Sequence, residues 1–102
     1  MSMSKHPKTL LVIVAEAVLE KSLVRDARER GAQGWTVSEV HGAGLEGVRE
    51  GAWEADRTVE IKIICDSAVA DTLAAHVLST YAAHYSVAMY FSAVEVLRPE
   101  RF

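Results

Sequence analysis

The segment Lys8–Ala15 (KTLLVIVA) constrains this chain more than any other. From Leu10 to Ala15 every residue is apolar, and β-branched residues run through the stretch. It is far shorter than the roughly 20 residues that span a bilayer. A short, continuous, β-branched run reads as a strand buried on both faces. Such a strand lies inside a sheet, so the rest of the chain must supply neighbours on either side and cover both faces.

Glu16–Arg30 reads as a helix. Leu19, Leu23 and Ala27 recur every four residues with Val24 beside them, which makes an apolar stripe. Glu16 and Glu20 near its start and Arg28 and Arg30 near its end suit the helix dipole. Gly31 is placed to terminate it. Trp35–His41 (WTVSEVH), between Gly34 and Gly42, reads as a second strand. Residues 42–56 hold Gly42, Gly44, Gly47 and Gly51 among mixed charges. A connection of that length is usually functional, and we expect a mobile loop. Arg57–Cys65 alternates cleanly: Val59, Ile61, Ile63 and Cys65 share one face, and Thr58, Glu60 and Lys62 the other. Asp66-Ser67 offers a cap for a second helix running to Thr80, with Val69, Leu73, Val77 and Tyr81 as its stripe. Ser86–Leu97 reads as a long last strand.

The order is βαββαβ. It predicts an α+β, ferredoxin-like sandwich: one four-stranded antiparallel sheet with both helices on one face. The chain has 102 residues, the size of one domain. The first strand is apolar on both faces and the last nearly so, yet the helices cover only one side. An apolar face left bare calls for a partner, and closed symmetric association supplies one. We expect the second face to pack on other copies of the chain, as a homotrimer.

Composition removes several classes of function. The net charge is −3, and no basic stripe offers nucleic acid a footprint. The single Cys65 cannot form an intrachain disulfide. Residues 1–7 are polar, with no apolar core of a signal peptide. These features point to a cytoplasmic protein without membrane insertion. The four histidines, His6, His41, His76 and His84, are scattered and carry no metal-ligand spacing. No nucleophile–base pair or paired carboxylates stand out, so no catalytic residue is assigned and an enzyme is not expected.

Gly42-Ala43-Gly44-Leu45-Glu46-Gly47 matches G-x-G-x-x-G. That pattern marks a dinucleotide fold only when a helix and a parallel strand follow. Here Gly51 interrupts the next stretch and a strand starts by Arg57. The glycines fit a mobile loop whose amides could hold an anion. Trp35 beside Thr36 could flank a flat base, or be a core or interface tryptophan. Arg57, Arg98 and Arg101 are the arginines outside the first helix and the loop, and guanidinium groups suit phosphate.

Gly34-Trp35-Thr36-Val37-Ser38-Glu39-Val40-His41-Gly42-Ala43-Gly44 resembles the signature of the PII signalling family, G-x-T-V-S/D-x-V-x-G-x-G. The element order, the loop and the strand after it agree from Lys8 to Arg101. The family's T-G-x-x-G-D-G-K turn is absent: residues 80–87 read Thr80-Tyr81-Ala82-Ala83-His84-Tyr85-Ser86-Val87. Residues 42–56 contain no Tyr, Ser or Thr, so that loop offers no hydroxyl for modification. The chain is therefore similar to the PII-like branch, most of all to its carboxysome-associated and bicarbonate-transport-associated members.

The resemblance implies a trimeric sensor that binds an adenine nucleotide in clefts between subunits. Gly34, Trp35, Thr36 and Val37 would surround the base and ribose, with Ile64 lining the pocket. Arg98 and Arg101 would hold phosphates. Gly42 and Gly44 would begin the responsive loop, with His41 and Arg57 at its roots and an anion near them. Without the lysine of the missing turn, ADP or AMP is favoured over ATP. Bicarbonate is a candidate second ligand, and a bicarbonate transporter or carboxysome-related protein a candidate partner. No prosthetic group is implied. The competing reading is a divalent-metal-binding trimer of cation-tolerance type, drawing on His76 and His84.

Overall fold

The computed structural model describes residues 2–41, 43–44, 47–48 and 57–102. The strands are β1 (His6–Glu16), β2 (Thr36–Val40), β3 (Ala43–Gly44), β4 (Gly47–Val48), β5 (Thr58–Cys65) and β6 (Val87–Val96); the helices are α1 (Glu20–Glu29) and α2 (Ser67–Thr80). Four strands form one sheet in the order β2-β5-β1-β6. Every pairing in it is antiparallel. This is the expected α+β, ferredoxin-like topology, and the continuous apolar run lies in it as a central strand.

The helices lie on the sheet face that carries Leu11, Ile13 and Ala15 of β1 and Val59, Ile61, Ile63 and Cys65 of β5. These pack with Leu19, Leu23, Ala27, Ala70, Leu73 and Val77 into the core. Burying an aliphatic side chain of this size contributes about 1.5–3 kcal/mol, so this layer holds the sheet and helices together. The other sheet face carries Leu10, Val12, Val14 and Ile64, with Lys8, Glu60, Lys62 and Tyr90 beside them in register. No helix covers it. Val12 is nonetheless only 1% exposed, shielded between its register neighbours Lys62 and Tyr90. Tyr90 and Phe91, on opposite faces of the edge strand β6, are about half exposed (52% and 49%).

The helix boundaries have local causes. α1 ends in a Schellman turn: the Ala32 N–H donates to the Ala27 carbonyl, and the Gly31 N–H to that of Arg28. Gly31 has φ +106°, a conformation that costs a residue with a Cβ. The start of α1 differs from expectation. Glu16 is the last residue of β1, opposite Thr58, and a short 3₁₀ turn at Ala17–Leu19 precedes the helix. Glu16 is held there by Ser86, whose N–H donates to Glu16 Oε2 at 2.7 Å. α2 begins at Ser67 with Asp66 in the cap position, but the Asp66 side chain makes no capping bond. Within the expected loop, Ala43 pairs with Val48 and Gly44 with Gly47 as a short antiparallel ladder.

Candidate functional site

The sheet register sorts the residues expected to bind nucleotide. Thr36 stands opposite Lys62, so Thr36 and Ile64 point to the uncovered face near one end of the sheet. Trp35 and Val37 pack instead against the core on the helical side, where the Arg28 guanidinium lies 5.9 Å from the Trp35 ring centre. The two pairs thus present their side chains to opposite faces of the sheet, as strand neighbours do. Gly34 lies next to the exposed start of β2. Its φ is outside the left-handed range, and a Cβ added there would meet nothing within 4 Å. Neither backbone conformation nor internal packing within this chain requires a glycine at that position.

Arg98 and Arg101 follow β6 at the same end of the sheet, around a one-turn 3₁₀ helix at Pro99–Arg101. β6 and β2 are opposite edges. Three interstrand spacings separate them, roughly 14 Å. The β1–β6 ladder also runs on past Ile64, since Leu10 faces both Ile64 and Ser92 while β6 continues to Val96. A hydrogen bond to phosphate spans only about 3 Å. The tail therefore begins a full sheet width from the β2 edge of the same chain, far beyond the span of one hydrogen bond. Arg98 Nε lies 3.4 Å from Glu100 Oε1, both side chains being exposed.

The loop residues lie at the far end. Val40 pairs with Thr58 there, and His41 and Arg57 follow directly. From Thr58 to Ile64 the strand rises roughly 20 Å. Arg57 places both Nε and Nη2 on Glu39 Oε1, which bridges the two roots of the loop, and its carbonyl accepts from the Ala17 N–H at 2.8 Å. Gly44 belongs to β3. Gly42 lies outside the described residues. One chain thus keeps three groups apart: the β2 edge, the C-terminal tail and the loop root.

Two polar arrangements escape one-dimensional reading. Asp26 is 4% exposed, the sole buried charged side chain among the described residues. Its Oδ1 accepts from Arg25 at 3.1 Å, and its Oδ2 accepts from His76 Nε2 at 2.9 Å and from the Tyr81 hydroxyl. Arg30 Nη2 lies 2.9 Å from His76 Nδ1, so neutral His76 fits the Nε2–H tautomer. Burial opposes ionisation of Asp26, but the hydrogen bonds from Tyr81, His76 and Arg25 outweigh it and hold the carboxyl below its ordinary value. Burial and the bond to Asp26 push the Tyr81 phenol up. The cluster ties α1 to the end of α2. Asp26 and His76 are 50 residues apart in sequence, so no spacing reveals them. The second arrangement is Lys8 on Asp66, Nζ to Oδ1 at 2.7 Å.

His76 is thereby engaged at both ring nitrogens. Among the described residues no three His, Cys, Asp or Glu side chains converge on a metal-sized site. Cys65 is buried, and burial raises its thiol pKa, which leaves it a core residue. No helix is long and apolar enough to cross a membrane, among the described residues.

Comparison with known proteins agrees with this architecture. The family model described as nitrogen regulatory protein P-II matches residues 8–101. No curated protein matches the chain. Among solved structures, a PII-like signalling protein from Thermus thermophilus is 33% identical with a TM-score of 0.85, over 98% of this chain and 99% of that one. CPII from Thiomonas intermedia, a nitrogen regulatory PII-like protein bound to ADP, AMP and bicarbonate, is 22% identical with a TM-score of 0.88, over 99% and 98%. CPII bound to ADP and bicarbonate is 20% identical with a TM-score of 0.86, over 99% of both chains.

Proposed function

Because this chain belongs to the nitrogen regulatory protein P-II family, we propose that it is a PII-like regulator that binds ADP or AMP where two copies meet. The observation that carries this reading is the separation of the β2 edge from the C-terminal tail. Gly34, Thr36 and Ile64 offer open space, a hydroxyl and an apolar wall on one edge; Arg98 and Arg101 offer cations past the other. A second copy would bring its tail directly against the edge. Repeating that head-to-tail contact closes a ring with one site per interface. Three copies would turn the uncovered faces, with Leu10, Val12, Val14 and Ile64, towards one another, which removes apolar surface from water.

The nucleotide class follows from charge. Residues 80–87 contain neither Lys nor Gly, so Arg98 and Arg101 carry the phosphates, and two guanidinium groups suit a mono- or diphosphate better than a triphosphate. Bicarbonate, bound together with adenine nucleotides in CPII, is the proposed co-ligand here, near His41, Gly42, Gly44 and Arg57. The β2–β5 connection would be the output. Its conformation can shift only by the ligand's differential affinity for its states, typically 1–3 kcal/mol. A cytoplasmic role in inorganic-carbon uptake or fixation, through a transporter or carboxysome-related protein, is the proposed setting.

Native mass spectrometry of the purified protein tests subunit number and bound nucleotide together. We expect trimers carrying ADP or AMP. A monomer without affinity for any adenylate would end the reading. Calorimetry with ADP and AMP, with and without bicarbonate, isolates the carbon claim: equal affinities in both buffers would remove it.

A further inference from the structure

Among the described residues, Lys8 is the least exposed lysine held in an ion pair. Its side chain is 12% exposed, and it lies on the sheet face that the helices leave uncovered. Its partner is Asp66, whose side chain is 68% exposed. An ammonium has three donors, and among the described residues this carboxylate is the one acceptor found for them. Burying an ammonium is costly unless it is paired and hydrogen-bonded, so Lys8 is held ready for an anion and only partly satisfied by Asp66.

The position matters as much as the pair. Lys8 stands two residues before Leu10, the register partner of Ile64, and two after His6, the register partner of Val96. It therefore lies beside the apolar wall of the proposed pocket, at the end of the sheet where the tail of a second copy would meet it. Asp66 is also anomalous. It occupies the cap position of α2 with an extended backbone, φ −67° and ψ 149°, yet caps nothing because its carboxylate is on Lys8. Aspartate is among the preferred N-caps, so an Asp66 released from Lys8 has another favourable place to go.

We infer that Lys8 is a phosphate-binding residue of the proposed cleft, and that Asp66 occupies it until a nucleotide phosphate takes its place. The inference rests on the nucleotide reading above. A phosphate brings more negative charge and more acceptor oxygens than the carboxylate it displaces. The displaced Asp66 carboxylate then turns to the first-turn amides of α2, which offsets the loss of its ion pair. The exchange makes affinity depend on phosphate rather than on the base.

Calorimetry with ADP and with adenosine, on the assembled protein, tests this. Asp66→Asn removes the competing charge and keeps a good N-cap. It should tighten ADP binding about fivefold, the size expected of a partly exposed ion pair, and leave adenosine unchanged. Lys8→Met should weaken ADP at least about tenfold, as for a lost charged hydrogen bond, again without effect on adenosine. If Lys8→Met does not fold, Asp66→Asn decides alone. ADP affinity that is unchanged or lower in Asp66→Asn, with the wild-type assembly intact, overturns the inference and leaves the nucleotide reading standing. No binding of ADP by the wild-type protein overturns both.

Discussion

Gly34→Ala separates what the fold needs from what a ligand or neighbour needs. The Gly34 backbone is outside the left-handed range, and an added Cβ would meet no atom of its own chain within 4 Å. The folded monomer therefore gains no clash. The unfolded chain loses conformational freedom, which stabilises the fold by about 0.4–1 kcal/mol. For a domain of this size that raises Tm by roughly 2–8 °C. The same methyl would fill the open space beside Thr36 and Ile64. If that space belongs to a nucleotide, ADP affinity should fall about tenfold or more, the effect of overpacking a tight site by roughly 1–3 kcal/mol. The assay is thermal melting of nucleotide-free protein beside ADP titration at fixed protein concentration. A higher Tm with unchanged ADP affinity would show that the space is not the ligand's. A lower Tm without ligand would show instead that a neighbouring copy fills it.

Gly31→Ala should behave in the opposite way: at φ +106° a Cβ costs about 1–2 kcal/mol, read as a drop in the denaturation midpoint. Arg98→Ala should lower ADP affinity by about 1–3 kcal/mol with the oligomer intact by native mass spectrometry, since its exposed pairing with Glu100 contributes little to the fold; unchanged affinity would refute the phosphate role. Asp26→Asn should destabilise the chain by about 1.5–3 kcal/mol, as for hydrogen bonds to a buried charge. Because the folded pKa of Asp26 is depressed, its contribution is present above the unfolded carboxylate value of about 3.9 and is lost as pH falls below that through the folded value. Denaturation from pH 7 to pH 2 should show this acid-side loss in the wild type and less of it in the variant.

Periodicity carried most of the fold. The alternation of Val59, Ile61, Ile63 and Cys65 against Glu60 and Lys62 needs no partner to be read, and the structure buries all four. Ser67–Thr80 was equally clear, bounded by a cap residue and a run of small and aliphatic side chains. Glu16 was not. An acidic residue ending a strand looks the same in sequence as one opening a helix, and what holds Glu16 in β1 is an amide 70 residues away. Trp35 is the instructive case at the site. Side chains alternate along a strand, so a tryptophan between Gly34 and Thr36 must face away from Thr36 once β2 pairs with β5. Pairing and register, unlike composition, decide that face. The buried Asp26 cluster and the Lys8–Asp66 pair join residues from different elements, and spacing within one element cannot find them.

The separation of the site into an edge and a tail also makes a prediction about mixtures. Take one chain carrying Gly34→Ala and another carrying Arg98→Ala, each defective alone, and co-refold them in equal amounts. If a site takes its β2 edge from one copy and its tail from the next, it is intact when the edge comes from the Arg98→Ala chain and the tail from the Gly34→Ala chain. Random mixing in a closed ring makes each condition true half the time, so about a quarter of the sites regain wild-type affinity, whatever the number of copies. If each site drew both parts from one chain, none would recover, because every chain carries one lesion. Stoichiometric ADP titration reads the difference directly. A high-affinity fraction near zero, with mixed rings verified by mass, would refute a shared cleft even if ADP binds.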